Sequence, residues 1–163
     1  MSFGKEMEAL TGNLQREAAT NNIGKLLAGA AVIVRNRILI VCRSLNDEFL
    51  PGYYEIPGGG IDPRETILQG LERELFEETN LRIGTLKEYL GHFNAVSPSG
   101  QTVRQFNFLI EPTHDEVKLS EEHSHFDWWN LEEDKPCPVP MLDSIKDVIS
   151  RAIHSRKGST HGE

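Results

Sequence analysis

Cysteine is scarce in this chain of 163 residues: only Cys42 and Cys137 occur. Two such residues build neither a disulfide framework nor a zinc site. Cys42 lies in an apolar run and reads as a small buried hydrophobe, whereas Cys137 lies among prolines. Long apolar runs are missing as well. No window is long enough to cross a bilayer, and the first residues lack the apolar stretch of a signal peptide. A reducing cytoplasm is the expected compartment. Positive charge is in deficit, with 17 Lys and Arg against 25 Asp and Glu, for a net charge of −8. That sign argues against general nucleic-acid or anionic-membrane partners, which need a basic face. A small anionic substrate is still compatible if a cation bridges the two negative partners. Neither an internal repeat nor a second domain is visible in the sequence.

What is there suits one globular domain, since 38% of the residues are hydrophobic. Residues 1–25 are polar and read as a partly ordered N-terminal arm. Leu10 and Leu14 fit a short helix near Glu6–Ala19, and the arm is also the candidate element for a homodimer. Ala30–Val34 and Ile38–Cys42 are β-rich runs flanking Arg35-Asn36-Arg37, which predicts a hairpin. Both runs are apolar on both faces, so their sheet is expected to be covered on both sides. Tyr54–Ile56 reads as a short strand and Pro57–Gly60 as a flexible loop. Further strands are expected near Arg82–Tyr89, Gly91–Val96, Thr102–Ile110 and Phe126–Asn130. Ser97–Gly100 is the turn between the second and third of these. A Pro-rich loop, Pro136–Pro140, precedes a helix near Met141–His154. Leu142, Ile145, Val148 and Ile149 form its apolar stripe, and residues 155–163 read as a tail.

Between these lies a helix expected to run from about Glu65 to Thr79. Asp62 suits its N-cap, Pro63 its first position, and Glu65 the capping box. Asn80 suits the left-handed residue that ends it. At about 100° per residue, Leu68, Leu71 and Leu75 align as the core stripe, while Glu74, Glu77 and Glu78 crowd one flank. Like charges at this spacing destabilise a helix by a few tenths of a kcal/mol per pair. The dipole near the C-terminal end disfavours anions further. A divalent cation relieves that repulsion, and carboxylate oxygens are suitable ligands for Mg²⁺ or Mn²⁺. The plainer alternative is a solvated charged face, for which Arg73 would be a partner of Glu77.

The spacing decides between them. Gly59, five residues, Glu65, seven residues, then Arg73-Glu74-Leu75-Phe76-Glu77-Glu78-Thr79-Asn80-Leu81 resembles the box of the Nudix (MutT-like) hydrolase family. Chance agreement at its six polar or glycine positions is about 10⁻⁴ or less. Asn80 stands where the family has glycine, and asparagine tolerates the same backbone. Tyr54-Glu55-Ile56-Pro57-Gly58-Gly59 is also similar to the family's approach to the box. The resemblance covers roughly Ala28 to His154, and 26–154 is taken as the domain. It implies an α/β/α sandwich with a mixed central sheet and a loop-helix-loop box. It also implies a pyrophosphohydrolase acting on a nucleotide-type small molecule.

By the same resemblance, Glu74, Glu77, Glu78 and the Gly59 carbonyl hold Mg²⁺, with Mn²⁺ as a substitute. Glu65 and Arg73 support them, and Glu65 is equally read as a plain capping residue. The general base is Glu77, Glu78 or a glutamate of a distant loop, Glu122 being preferred to Glu121. His123 and His125 are read as surface residues. Arg43 is a candidate for a substrate phosphate or an ordinary strand-end charge, and Arg104 is a weaker one. Tyr54, Phe106, Phe108 and Trp128 are candidates for stacking on a base or for core packing. A nucleoside triphosphate or a nucleotide sugar is the favoured substrate. A catalytically silent nucleotide-binding module is the alternative, but such a module would be expected to lose box glutamates. An isomerase of isoprenoid diphosphates is a third reading, and the cysteine and glutamate context it needs is not found.

Overall fold

The computed structural model describes residues 3–132 and 137–159. In chain order its elements are α1 (Lys5–Thr20), β1 (Lys25–Val34), β2 (Arg37–Arg43), β3 (Tyr54–Glu55), β4 (Gly58–Gly60), α2 (Ile67–Thr79), β5 (Ile83–Val96), β6 (Thr102–Pro112), β7 (His123–Asn130) and α3 (Asp143–Ser159). The mixed sheet runs β3-β2-β1-β6-β5, with β4 added to β1 and β7 to β2. β1 and β6 are parallel, and the other pairs are antiparallel.

Both faces of this sheet are covered, as the doubly apolar runs require. Ala28, Ala30, Val32, Leu39 and Val41 point to one side and pack with Leu68, Leu71 and Leu75 of α2. Ala31, Ile33, Ile38 and Ile40 point to the other side and pack with Ile145, Val148, Ile149 and Ala152 of α3. Each fully buried leucine or isoleucine contributes roughly 1.5–3 kcal/mol by leaving water. The result is an α/β/α sandwich.

The hairpin closes as expected, with Val34 opposite Arg37 and Arg35 at φ 57°. Several boundaries differ. Pro57–Gly60 is not a free loop, because Gly58–Gly60 forms β4 against Leu27–Gly29 of β1. A Cβ on Gly58 would sit 2.1 Å from the Ala28 carbonyl oxygen, so glycine is what permits this approach. The two strands expected over 82–96 are the single strand β5, whose register shifts at Leu86/Glu88 and at Tyr89/His92. α2 is capped by Thr66, not Asp62: Thr66 Oγ1 accepts from the Gln69 N–H, and Gln69 Oε1 accepts from the Thr66 N–H. Asp62–Glu65 is a separate turn, closed by the Glu65 N–H to the Asp62 carbonyl and by the Asp62 N–H to Glu65 Oε1, and the Glu65 carboxylate also receives Arg73. At the other end Asn80 has φ 65° and closes the helix as expected.

The N-terminal arm is a 16-residue helix, α1, laid against the core. Its Ala18 is buried, and Phe3, Met7 and Leu14 pack on the same cluster as α2. α3 starts at Asp143 and continues past His154 to Ser159, leaving Leu142 outside it and 40% exposed. Pro136 and residues 160–163 lie outside the described residues. No described helix is long and apolar enough to cross a membrane.

Candidate functional site

One edge of β1 changes partner along its length. Leu27–Gly29 pair with β4, whereas Ile33 and Val34 pair with β2. The sheet therefore splits beside Ala30, and the C-terminal half of α2 lies under the split. The loop after β6 is fastened to that half of the helix. Lys118 and Ser120 donate backbone N–H bonds to the carbonyls of Thr79 and Glu78, 2.9 and 3.1 Å long. These carbonyls end a helix and need partners. The fastening carries Glu122 and His123 to the split, where Ser44 of the strand β2 side donates to the Glu122 carbonyl.

Glu78 lies at the bottom and is 4% exposed. Its Oε2 accepts from the Gly58 N–H at 2.9 Å. Burial pushes its carboxyl up to about 10. The Gly58 bond opposes that rise, while a hydrogen bond with Glu122 and the charge of Glu55 add to it. Glu74 is pressed against β4: a Cβ on Gly59 would fall 2.5 Å from Glu74 Oε2. Burial raises the Glu74 carboxyl as well, against the pull of Arg73. Glu77 is more open, with its side chain 56% exposed.

Arg73 ties these groups together. Its Nε and Nη2 donate to the two oxygens of Glu65, each at 2.7 Å. Nη1 reaches Glu74 and Glu77 at 3.0 and 3.1 Å, and Nη2 also reaches the Gly60 carbonyl at 2.9 Å. The fork holds Glu65 below the usual carboxylate range. Glu65 is thus more than a cap, and Arg73 more than a surface partner of Glu77.

A second network lies on the β3 side. Glu55 accepts from His123 Nε2 at 2.8 Å and from Arg43 Nη1 at 3.3 Å. His123 is buried, not on the surface as expected, because β7 begins there and pairs with Arg43 at an irregular step of β2. Its Nδ1 is buried without a hydrogen-bond partner. His125 is exposed and meets the Tyr54 hydroxyl at 3.1 Å. Arg43 is already occupied by Asp47 at 2.6 Å and by the Phe49 carbonyl at 2.9 Å, in addition to Glu55. Arg104 is buried and donates to Asn94. Phe106 and Phe108 are fully buried core residues, and Trp128 packs on the same cluster with Arg37 over its ring. Glu55 escapes a reading of the sequence, because a lone glutamate in a two-residue strand carries no periodic signal.

Glu78 and Glu122 are hydrogen-bonded to each other, and the charges of Glu77 and Glu122 act on Glu74. Ligand atoms of Glu78, Glu122 and His123 lie within 4.8 Å of one another. Two carboxylates and an imidazole, with the Glu78 carboxyl pushed up by burial, form a donor set that a divalent cation can use. A cavity of about 500 Å³ borders Arg73 and Glu77 on the outer flank of α2. Another of about 510 Å³ lies near α3 and away from these carboxylates.

Comparison with known proteins identifies the family and the fold. The family model for the NUDIX domain matches residues 25–147. The chain is 27% identical over 159 residues to an RNA pyrophosphohydrolase of Bartonella henselae, covering 87% of each. It is 30% identical over 104 residues to the NAD-capped RNA hydrolase NudC of Haemophilus influenzae, covering 63% of this chain and 36% of that relative. A MutT/nudix family protein from Enterococcus faecalis shares the fold with a TM-score of 0.72 at 17% identity, over 98% of this chain and 72% of that one. With the box residues, the sandwich and the family match in agreement, the chain belongs to the NUDIX family and is a Nudix-type hydrolase of diphosphate bonds in nucleotide substrates.

Proposed function

We propose that this hydrolase, with residues 26–154 as its catalytic domain, works with Mg²⁺ on a nucleoside triphosphate or a nucleotide sugar. The observation that carries the metal reading is the pairing of a buried Glu78 with Glu122, beside a Glu74 packed on Gly59. Glu74, Glu77, Glu78 and the Gly59 carbonyl would hold the ion, with Mn²⁺ as a substitute. Bound there, the cation supplies charge neutralisation at the phosphate oxygens and a more acidic water. Glu122 accepts the proton of the attacking water, since it is the exposed member of its pair with Glu78. Arg73 keeps Glu74 and Glu77 in place through its fork to Glu65 and Gly60. Arg43 would need to exchange Asp47 for a substrate phosphate, and Tyr54 lines the same side.

The substrate choice follows from charge. Two of the three proteins named above are named for RNA substrates. A chain of net charge −8 repels a long polyanion, whereas a small anion is held mainly through its bridging cation. The test is product release from nucleoside triphosphates, nucleotide sugars, NAD and a 5′-triphosphorylated RNA oligonucleotide, with and without Mg²⁺. Metal-dependent turnover of the first two classes is expected. Faster turnover of the RNA end would overturn the substrate assignment. Turnover in the presence of a chelator would overturn the metal assignment.

A further inference from the structure

The helix α1 lies outside residues 25–147, the part that matches the family model. It is nevertheless joined to the box. Thr11, Leu14 and Ala18 seat it on the core cluster, and Gln15 is on the same side of the helix. Gln15 Nε2 donates to the backbone carbonyl of Glu65 at 3.0 Å. Glu65 is the residue whose carboxylate receives the Arg73 fork, and Arg73 in turn holds Glu74, Glu77 and the Gly60 carbonyl. The hydrogen bonds form one chain: α1, Glu65, Arg73, then the carboxylates.

The geometry points to Gln15 as a positioning residue of the metal site, and to α1 as a working part of the catalytic unit. The inference rests on the metal reading above. Its physical content is specific. The turn Asp62–Glu65 is closed by the Glu65 N–H to the Asp62 carbonyl and by the Asp62 N–H to Glu65 Oε1. Those bonds fix the turn internally but not its orientation to the rest of the fold. Gln15 fixes the peptide plane that follows Glu65, just before the helix cap Thr66. A plane free to tilt lets the Glu65 carboxylate swing, and Arg73 then redistributes among its acidic partners. Partners behind metal ligands commonly change metal affinity by about 10- to 100-fold when lost, and Gln15 acts from one bond further out.

The experiment uses the full chain and two variants. Gln15→Met keeps length and helix propensity but removes the N–H donor. Gln15→Lys keeps a donor of similar reach. Mn²⁺ binding is measured by calorimetry, Mg²⁺ activation by hydrolysis, and folding by thermal melting. The expected result is Mn²⁺ affinity about tenfold weaker in the methionine variant, with a matching rise in the Mg²⁺ needed for half activity. The lysine variant should return close to the wild type. Equal Mn²⁺ binding by the wild type and the methionine variant overturns the inference. Equal weakening in both variants, in step with a lowered melting temperature, also overturns it, since that marks a helix needed only for folding. A wild type that hydrolyses substrate without binding Mn²⁺ or needing Mg²⁺ overturns the metal reading itself.

Discussion

Glu78→Gln separates the electrostatics of the site from its packing. The carboxyl of Glu78 is pushed up to about 10 from an ordinary 4.5, chiefly by burial. Folding the metal-free protein therefore takes up a proton at this group at any pH between those values. The stability it contributes is complete below about 4.5 and is lost as the pH rises toward 10. Each pH unit in that window costs up to about 1.4 kcal/mol, so going from pH 6 to pH 8 costs up to roughly 3 kcal/mol. Glutamine has the same size. Its oxygen accepts the Gly58 N–H, and its amide donates to Glu122 as the protonated carboxyl does. The variant should therefore lack this slope and be the more stable protein at pH 8 in a chelating buffer. Urea unfolding at pH 6, 7 and 8, with a chelator, measures both curves. Mg²⁺ should flatten the wild-type curve, because the cation replaces the proton, and should change the slope of the variant much less. Parallel curves, or a variant less stable than the wild type at pH 8, would refute the account of Glu78.

Three other substitutions probe the same construction. Glu122→Gln should lower kcat by about 10²–10⁴ while the melting temperature is retained, and unchanged steady-state kinetics would remove Glu122 from proton transfer. Gly58→Ala places a Cβ 2.1 Å from the Ala28 carbonyl at φ 155°. The strain should cost at least about 3 kcal/mol and loosen β4, visible as a lowered unfolding midpoint; wild-type stability would contradict the close packing of β4 on β1. Thr66→Ala removes half of the capping box and should cost about 1 kcal/mol, a fall in melting temperature of about 2–4 °C. A larger effect from Asp62→Ala would return the cap to Asp62.

The box was legible because its signal is local. Leu68, Leu71 and Leu75 on one side, with Glu74, Glu77 and Glu78 beside them, follow from the helical period alone, and Asn80 follows from cap chemistry. The hairpin of β1 and β2 was legible for the same reason. The cap was misplaced because Asp62-Pro63-Arg64-Glu65 and Thr66–Gln69 both carry capping residues, and one turn of helix separates them. Asp62 and Glu65 do close a turn of their own, with the Asp62 N–H on Glu65 Oε1, and the helix itself starts one turn later at Thr66. Glu55, His123 and Gln15 were not legible at all, since each acts through a partner 50 or more residues away.

Those distant partners share one cause. A strand that pairs with the same neighbour along its whole edge leaves no opening for side chains from below. β1 instead hands its edge from β4 to β2, and the opening admits the carboxylates of α2 from one side and the start of β7 from the other. At Gly58 the strand β4 approaches the β1 backbone too closely for any side chain, and glycine there permits the approach. The same bare backbone accepts Glu74 against Gly59 and offers the Gly58 N–H to Glu78. Gly58 therefore does two tasks with one property: it lets β4 lie close against β1, and it turns a bare backbone N–H toward the point where the acidic helix ends.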